Sequence, residues 1–239
     1  MRSVPSFSNN LAAIEERIAA ACRRAGRAPS DVHLMAVSKT HPAESIAEAA
    51  HAGLRLFGEN RVQEFEAKRP RLRELGIAAE VHLIGHLQSN KSAKAAELFD
   101  AIDSVDSLRL AERLQDATAG LNKTLPILLE IKLSSEPTKA GLAPDSPELS
   151  ALLERLPDLP GLPLRGLMTI APFDENPESA RACFRRLRAL RDTLARQHPR
   201  LNFGTLSMGM SGDFEIAIEE GSTLVRIGTA LFGERPQPR

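Results

Sequence analysis

The chain has 239 residues, 42% of them hydrophobic, and its 31 basic residues balance 31 acidic ones. That balance removes the long-range field that would gather nucleic acid or an anionic membrane, so any anion must be held by a local site. The length suits one domain with a full core, within the range of an α/β barrel, and no disulfide or metal is needed to staple it.

Residues 8–22 carry Leu11, Ile14, Ile18 and Cys22 at spacings of three and four, with Gly26 as a stop, which predicts a leading amphipathic helix. Glu15, Glu16 and Arg17 interrupt its apolar face, so it does not read as a signal peptide, and no apolar run reaches membrane-spanning length. Cys22 and Cys183 lie far apart, in no metal or redox spacing, and on apolar helix faces. Buried, reduced thiols and a cytoplasmic location are expected. His82 and His86 straddle a strand end, so they lack the helical spacing of a shared metal site and no metal is expected.

After the leading helix a pattern repeats. Apolar runs at 33–38, 54–58, 81–84, 101–105, 126–133, 164–170, 205–209 and 223–227 alternate with helix-like segments at 43–52, 61–75, 91–98, 108–117, 147–156 and 177–196. In the last of these Asn176 can cap, Pro177 suits the first turn, and Ala180, Phe184, Leu187, Leu190 and Leu194 form one face. The Pro-rich stretch 143–163 contains a short helical pattern and reads as loop punctuation. Eight strand-helix units in this length predict a single (β/α)8 TIM barrel over residues 1–239, with an extra N-terminal helix. An open doubly wound sheet is the alternative.

In a parallel barrel, functional side chains collect at the C-terminal strand ends. Lys39 follows the first strand, where partial desolvation disfavours the ammonium and leaves an amine able to attack a carbonyl. The alternative is a stem packed on the sheet with its head in solvent. Strands seven and eight end in Ser207-Met208-Gly209-Met210-Ser211-Gly212-Asp213 and Arg226-Ile227-Gly228-Thr229. Barrels often bind phosphate there, with small residues admitting the anion to the N–H groups of Gly228 and Thr229, and hydroxyls of Ser207 and Thr229 adding donors. The glycines could instead serve only tight turns. Arg226 would point into the barrel mouth, either to pair with a carboxylate such as Glu59 or to donate to a ring nitrogen of a bound heterocycle. Asp213 and Glu215 are explained by placement at a helix N-terminus. A carbonyl-reactive lysine together with a phosphate cradle fits one cofactor, pyridoxal phosphate.

The blocks Ala36-Val37-Ser38-Lys39-Thr40, Phe57-Gly58-Glu59-Asn60-Arg61-Val62-Gln63-Glu64, His82 to Lys91, Gly166-Leu167-Met168-Thr169-Ile170, Leu206 to Asp213 and Arg226 to Gly233 are similar to the signature blocks of the YggS-type pyridoxal phosphate homeostasis proteins, in the same order across nearly the whole chain. The resemblance implies the barrel domain of alanine racemase, standing alone. It implies that Lys39 holds pyridoxal 5'-phosphate as a Schiff base. Ser207, Gly228 and Thr229 would contact the phosphate, Arg226 would face the pyridine nitrogen, and Asn60 and Met168 would lie near the ring. In this family the lysine matching Lys91 has been linked to a second site or to cofactor release; read from the residues alone, it is a solvated cation at a helix start.

Racemase relatives use a tyrosine supplied by a second domain across a dimer interface, and this chain has no tyrosine. An arginine opposite the pyridine nitrogen would also keep that nitrogen unprotonated and weaken the cofactor as an electron sink. The expected protein therefore binds and carries the cofactor as a cytoplasmic monomer, with apo forms of pyridoxal phosphate enzymes as partners and no robust catalysis. A weak amino-acid racemase and a Schiff-base aldolase acting on a sugar phosphate are the competing readings.

Overall fold

The computed structural model describes residues 6–133, 140–172, 174 and 176–233. Among them, eight strands close into a barrel in sequence order, every neighbour parallel and the first paired with the last: β1 (His33–Val37), β2 (Leu56–Glu59), β3 (Glu80–Leu83), β4 (Ala101–Val105), β5 (Ile127–Glu130), β6 (Leu164–Met168), β7 (Thr205–Ser207) and β8 (Leu224–Ile227). Each predicted apolar run holds one strand. The open-sheet alternative fails because β1 pairs with β8, Ala36 opposite Ile227.

The helices are α1 (Phe7–Arg24), α2 (Ala43–His51), α3 (Val62–Glu74), α4 (Ser92–Leu98), α5 (Leu108–Leu121), α6 (Pro147–Arg155), α7 (Arg181–Gln197), α8 (Phe214–Glu219) and α9 (Thr229–Phe232). The predicted helix at 177–196 divides in two. Pro177–Ala180 forms a tight 3-10 turn, capped by the Asn176 side chain on the Glu178 N–H at 3.1 Å, before α7 begins. Phe184, Leu187 and Leu194 are buried on its inner face as the spacing predicts. Both cysteines are buried.

Outward-facing strand residues such as Phe57, Ile102, Leu129, Leu167 and Val225 pack with the helices in one continuous core. Inside the barrel a smaller apolar cluster forms from Met35, Val37, Ile84 and Leu224. Gly58 makes room for it, since a Cβ there would lie 2.8 Å from the Met35 sulfur. α1 fastens the last two helices to the barrel. Its Asn10 side chain donates to the Leu231 carbonyl at 2.9 Å, and the Phe7 and Phe232 rings lie 5.3 Å apart. Phe232 also meets His41, at 5.0 Å, so α9 is held between the leading helix and the loop after β1.

The lumen also carries charge. His82 of β3 bridges Asp103 of β4 and Glu80, each at 3.0 Å. Burial opposes charge on the ring, but the two carboxylates outweigh it and raise the His82 pKa from the ordinary 6.5 to about 10. Because the folded-state value is the higher one, the imidazolium adds stability that is complete below about pH 6.5 and lost as pH climbs through about 10. Urea unfolding across that window should show the decline, and His82→Gln should remove most of its slope; an unchanged slope would count against a charged His82.

Candidate functional site

The C-terminal ends of the strands surround a cavity of about 1170 Å³. Of the residues singled out in sequence, Lys39, Asn60, Arg226, Gly228 and Thr229 line it. Met168 and Ser207 do not form its wall. Both are fully buried and in register with one another, at the level where Glu130 pairs with Met168. Lys91 is half-buried in a short turn before α4 and is not among the lining residues.

Parallel closure explains the gathering. Val37 faces the lumen, so Lys39, two residues on, returns to the same side just past the strand. Arg226 faces inward in the same way, two residues after Leu224 and in register with Met35. Gly228, just past β8, lies so close to β1 that an added Cβ would sit 3.2 Å from the Val37 carbonyl oxygen. Asn60 is pressed against Gly85, where a Cβ would come within 2.3 Å of the Asn60 carbonyl oxygen.

Arg226 does not pair with Glu59. Its guanidinium donates to the Ser207 hydroxyl at 2.7 Å and to the Thr169 carbonyl at 2.8 Å. Ser207 is thereby tied to Arg226. Burial pushes the Arg226 pKa below its ordinary value, opposed by Asp103, Asp213 and Glu130. Glu59 follows Gly58 and so faces out of the barrel, toward Lys68 of α3, whose ammonium donates to it at 2.8 Å.

The loop after β7 supplies donors. Among the described residues, the backbone N–H groups of Ser211, Gly212, Gly228 and Thr229 donate to no protein acceptor. All four residues line the cavity. The Asp213 carboxylate accepts from the Met210 N–H at 2.6 Å, fastening this loop from within instead of capping α8. Glu215, in the first turn of α8, is ion-paired with Arg17 and Arg24 of α1. The result is a small nest of N–H groups suited to an anion, beside a guanidinium and a lysine.

Sequence reasoning missed Glu130. It ends β5, lies 7% exposed in the cavity wall, and among the described residues no protein donor reaches its carboxyl group. Burial, reinforced by Asp106 and opposed by Arg226 and His86, raises its pKa from 4.5 to about 7. The available signal was a carboxylate at the end of an otherwise apolar strand, Ile127-Leu128-Leu129-Glu130. Because the folded-state value is raised, fold stability should fall as pH rises from about 4.5 to about 7, and Glu130→Gln should remove that decline, roughly 1–3 kcal/mol, in urea unfolding.

Residues 9–236 match the family model of the alanine racemase N-terminal domain. The chain is 46% identical over 225 residues to the pyridoxal phosphate homeostasis protein of Aquifex aeolicus, spanning 94% of this chain and 96% of that one. It is 45% identical over 231 residues to the protein of that name in Escherichia coli K12, spanning 96% and 97%. Among solved structures, PipY of Synechococcus elongatus with PLP bound is similar at a TM-score of 0.84 and 43% identity, covering 95% of this chain and all of that one. An alanine racemase of Clostridium difficile shares the fold at a TM-score of 0.69 and 16% identity, and this chain covers 61% of it.

Proposed function

From the premise that this chain belongs to the alanine racemase N-terminal domain family, and within it to the pyridoxal phosphate homeostasis proteins, we propose that it binds pyridoxal 5'-phosphate in the barrel mouth and serves the cell's supply of that cofactor. One observation carries the reading. A lysine, a buried guanidinium and four N–H groups that donate to no described protein acceptor line a single cavity. These residues fit the cofactor: the amine suits its aldehyde, the N–H groups its phosphate, and the volume of about 1170 Å³ is ample.

When bound, the cofactor supplies an electrophilic aldehyde on an electron-withdrawing ring. Lys39 would supply the amine that holds this aldehyde, as the proposed Schiff-base attachment point. Ser211, Gly212, Gly228 and Thr229 would hold the phosphate through backbone N–H groups, and the Thr229 hydroxyl adds a donor. Arg226 would face the ring nitrogen as a donor, so that nitrogen takes no proton and the ring is a poor electron sink. Ser207 acts through Arg226, accepting from its guanidinium at 2.7 Å, and Met168 is fully buried in register with Ser207. Asn60, in the cavity wall, would border the ring. The arrangement favours holding the cofactor over turning over a substrate. In the same reading residues 1–239 form one cofactor-binding domain, a cytoplasmic monomer that supplies apo forms of pyridoxal phosphate enzymes.

Borohydride reduction of the protein mixed with pyridoxal phosphate, followed by peptide mass mapping, should place the adduct on Lys39. Lys39→Ala should lose the visible imine band and the reducible adduct while retaining weaker, phosphate-driven binding. An adduct of equal yield in that variant would refute the assignment.

A further inference from the structure

The backbone on both sides of Lys39 is gripped by α3. The Ser38 carbonyl, preceding Lys39, accepts from the Lys68 ammonium at 3.0 Å. The Thr40 N–H, following it, donates to the Glu64 carboxylate. Lys68 and Glu64 are themselves paired at 2.8 Å, one helical turn apart. Behind them, fully buried Glu59 accepts from Lys68 at 2.8 Å and from the Ser38 hydroxyl at 2.7 Å.

This grip coincides with strain. Thr40 has a φ of 67°, in the left-handed region, and only one other non-glycine described residue, Asn122, shares that region. A β-branched residue is held there only when its surroundings over-determine it. Asn122 ends α5, where a left-handed cap is routine, but Thr40 lies in the turn that presents Lys39. Among the described residues, the side chains of Lys68 and Glu64 bond the Ser38 carbonyl and the Thr40 N–H, one on each side of Lys39.

We infer that Lys68 and Glu64 are positioning residues: they clamp the peptide groups before and after Lys39, keep Thr40 left-handed, and so hold the lysine amine where it can take up an aldehyde. This rests on the reading that Lys39 is the attachment point.

The test loads folded protein with pyridoxal phosphate and compares the imine band and borohydride-trapped yield among wild type, Glu64→Ala, Lys68→Met, and Glu64→Ala combined with Thr40→Gly. Glu64→Ala is the primary variant, because removing Lys68 strands the buried Glu59 and can cost the fold. The expected loss of imine equilibrium constant in Glu64→Ala is about tenfold, and Thr40→Gly should restore it to within about threefold, since glycine takes a positive φ without a clamp. A loss that glycine does not relieve would assign the effect to general loosening of α3 and overturn the inference. Unchanged loading in Glu64→Ala, with wild type trapped on Lys39, overturns the inference alone. Absence of a Lys39 adduct in wild type overturns the cofactor reading as well.

Discussion

The register between β1 and β8 is the contact on which the site depends. With Ala36 opposite Ile227 and Met35 opposite Arg226, the two ends of the chain meet along one barrel seam, and the residues just beyond each strand emerge side by side. Lys39 and Gly228 share a cavity wall for that reason alone. The seam is tight because Gly228 has no side chain to hold it away from Val37, and it is buttressed outside by α1, which bonds to α8 and α9. Exposed ion pairs such as Arg17–Glu215 add little individually. The aromatic contacts of Phe232 with Phe7 and His41 are better placed to fix α9 and the Thr229 end of the cavity.

A barrel of this size is usually filled by aliphatic layers, yet here the lumen carries His82, Asp103, Glu130 and Arg226. Burying charge is costly unless hydrogen bonds and opposite charges compensate. Compensation is uneven: His82 is satisfied by two carboxylates and Arg226 by Ser207 and a carbonyl, while Asp103 leaves one buried oxygen without a hydrogen bond and the Glu130 carboxyl accepts from no protein donor among the described residues. Of these two, Glu130 lies in the cavity wall, where departures from good packing are expected if a ligand completes the set.

The same division of labour holds around Lys39. What presents the lysine is a helix whose outer face looks like an ordinary charged surface, and whose inner face reaches the β1 turn through Glu64 and Lys68. Glu59 links this layer to the strand. Burial pushes its carboxyl pKa up, opposed by Lys68 and Ser38. A turn that must hold a left-handed threonine depends on such bonds from another element, because its own sequence favours a different backbone.

Local chemistry determined much of this protein. Eight apolar runs with helical periods between them specify eight strand-helix units, and closure of such units puts the strand ends on one face, so Lys39, Asn60, Arg226, Gly228 and Thr229 could be named from sequence and found along one cavity. Residue identity also indicated what a lysine beside small, N–H-rich loops can hold. Partners were a different matter. Whether Glu59 faces Arg226 or Lys68 turns on a single residue of strand parity, because neighbours along a strand point to opposite faces, and only the fold fixes that parity. The Ser207–Arg226 bond, the exposure of Glu130 to the cavity and the hold of α3 on the Lys39 turn all join residues distant in sequence. They follow from register and barrel closure, which no local pattern encodes.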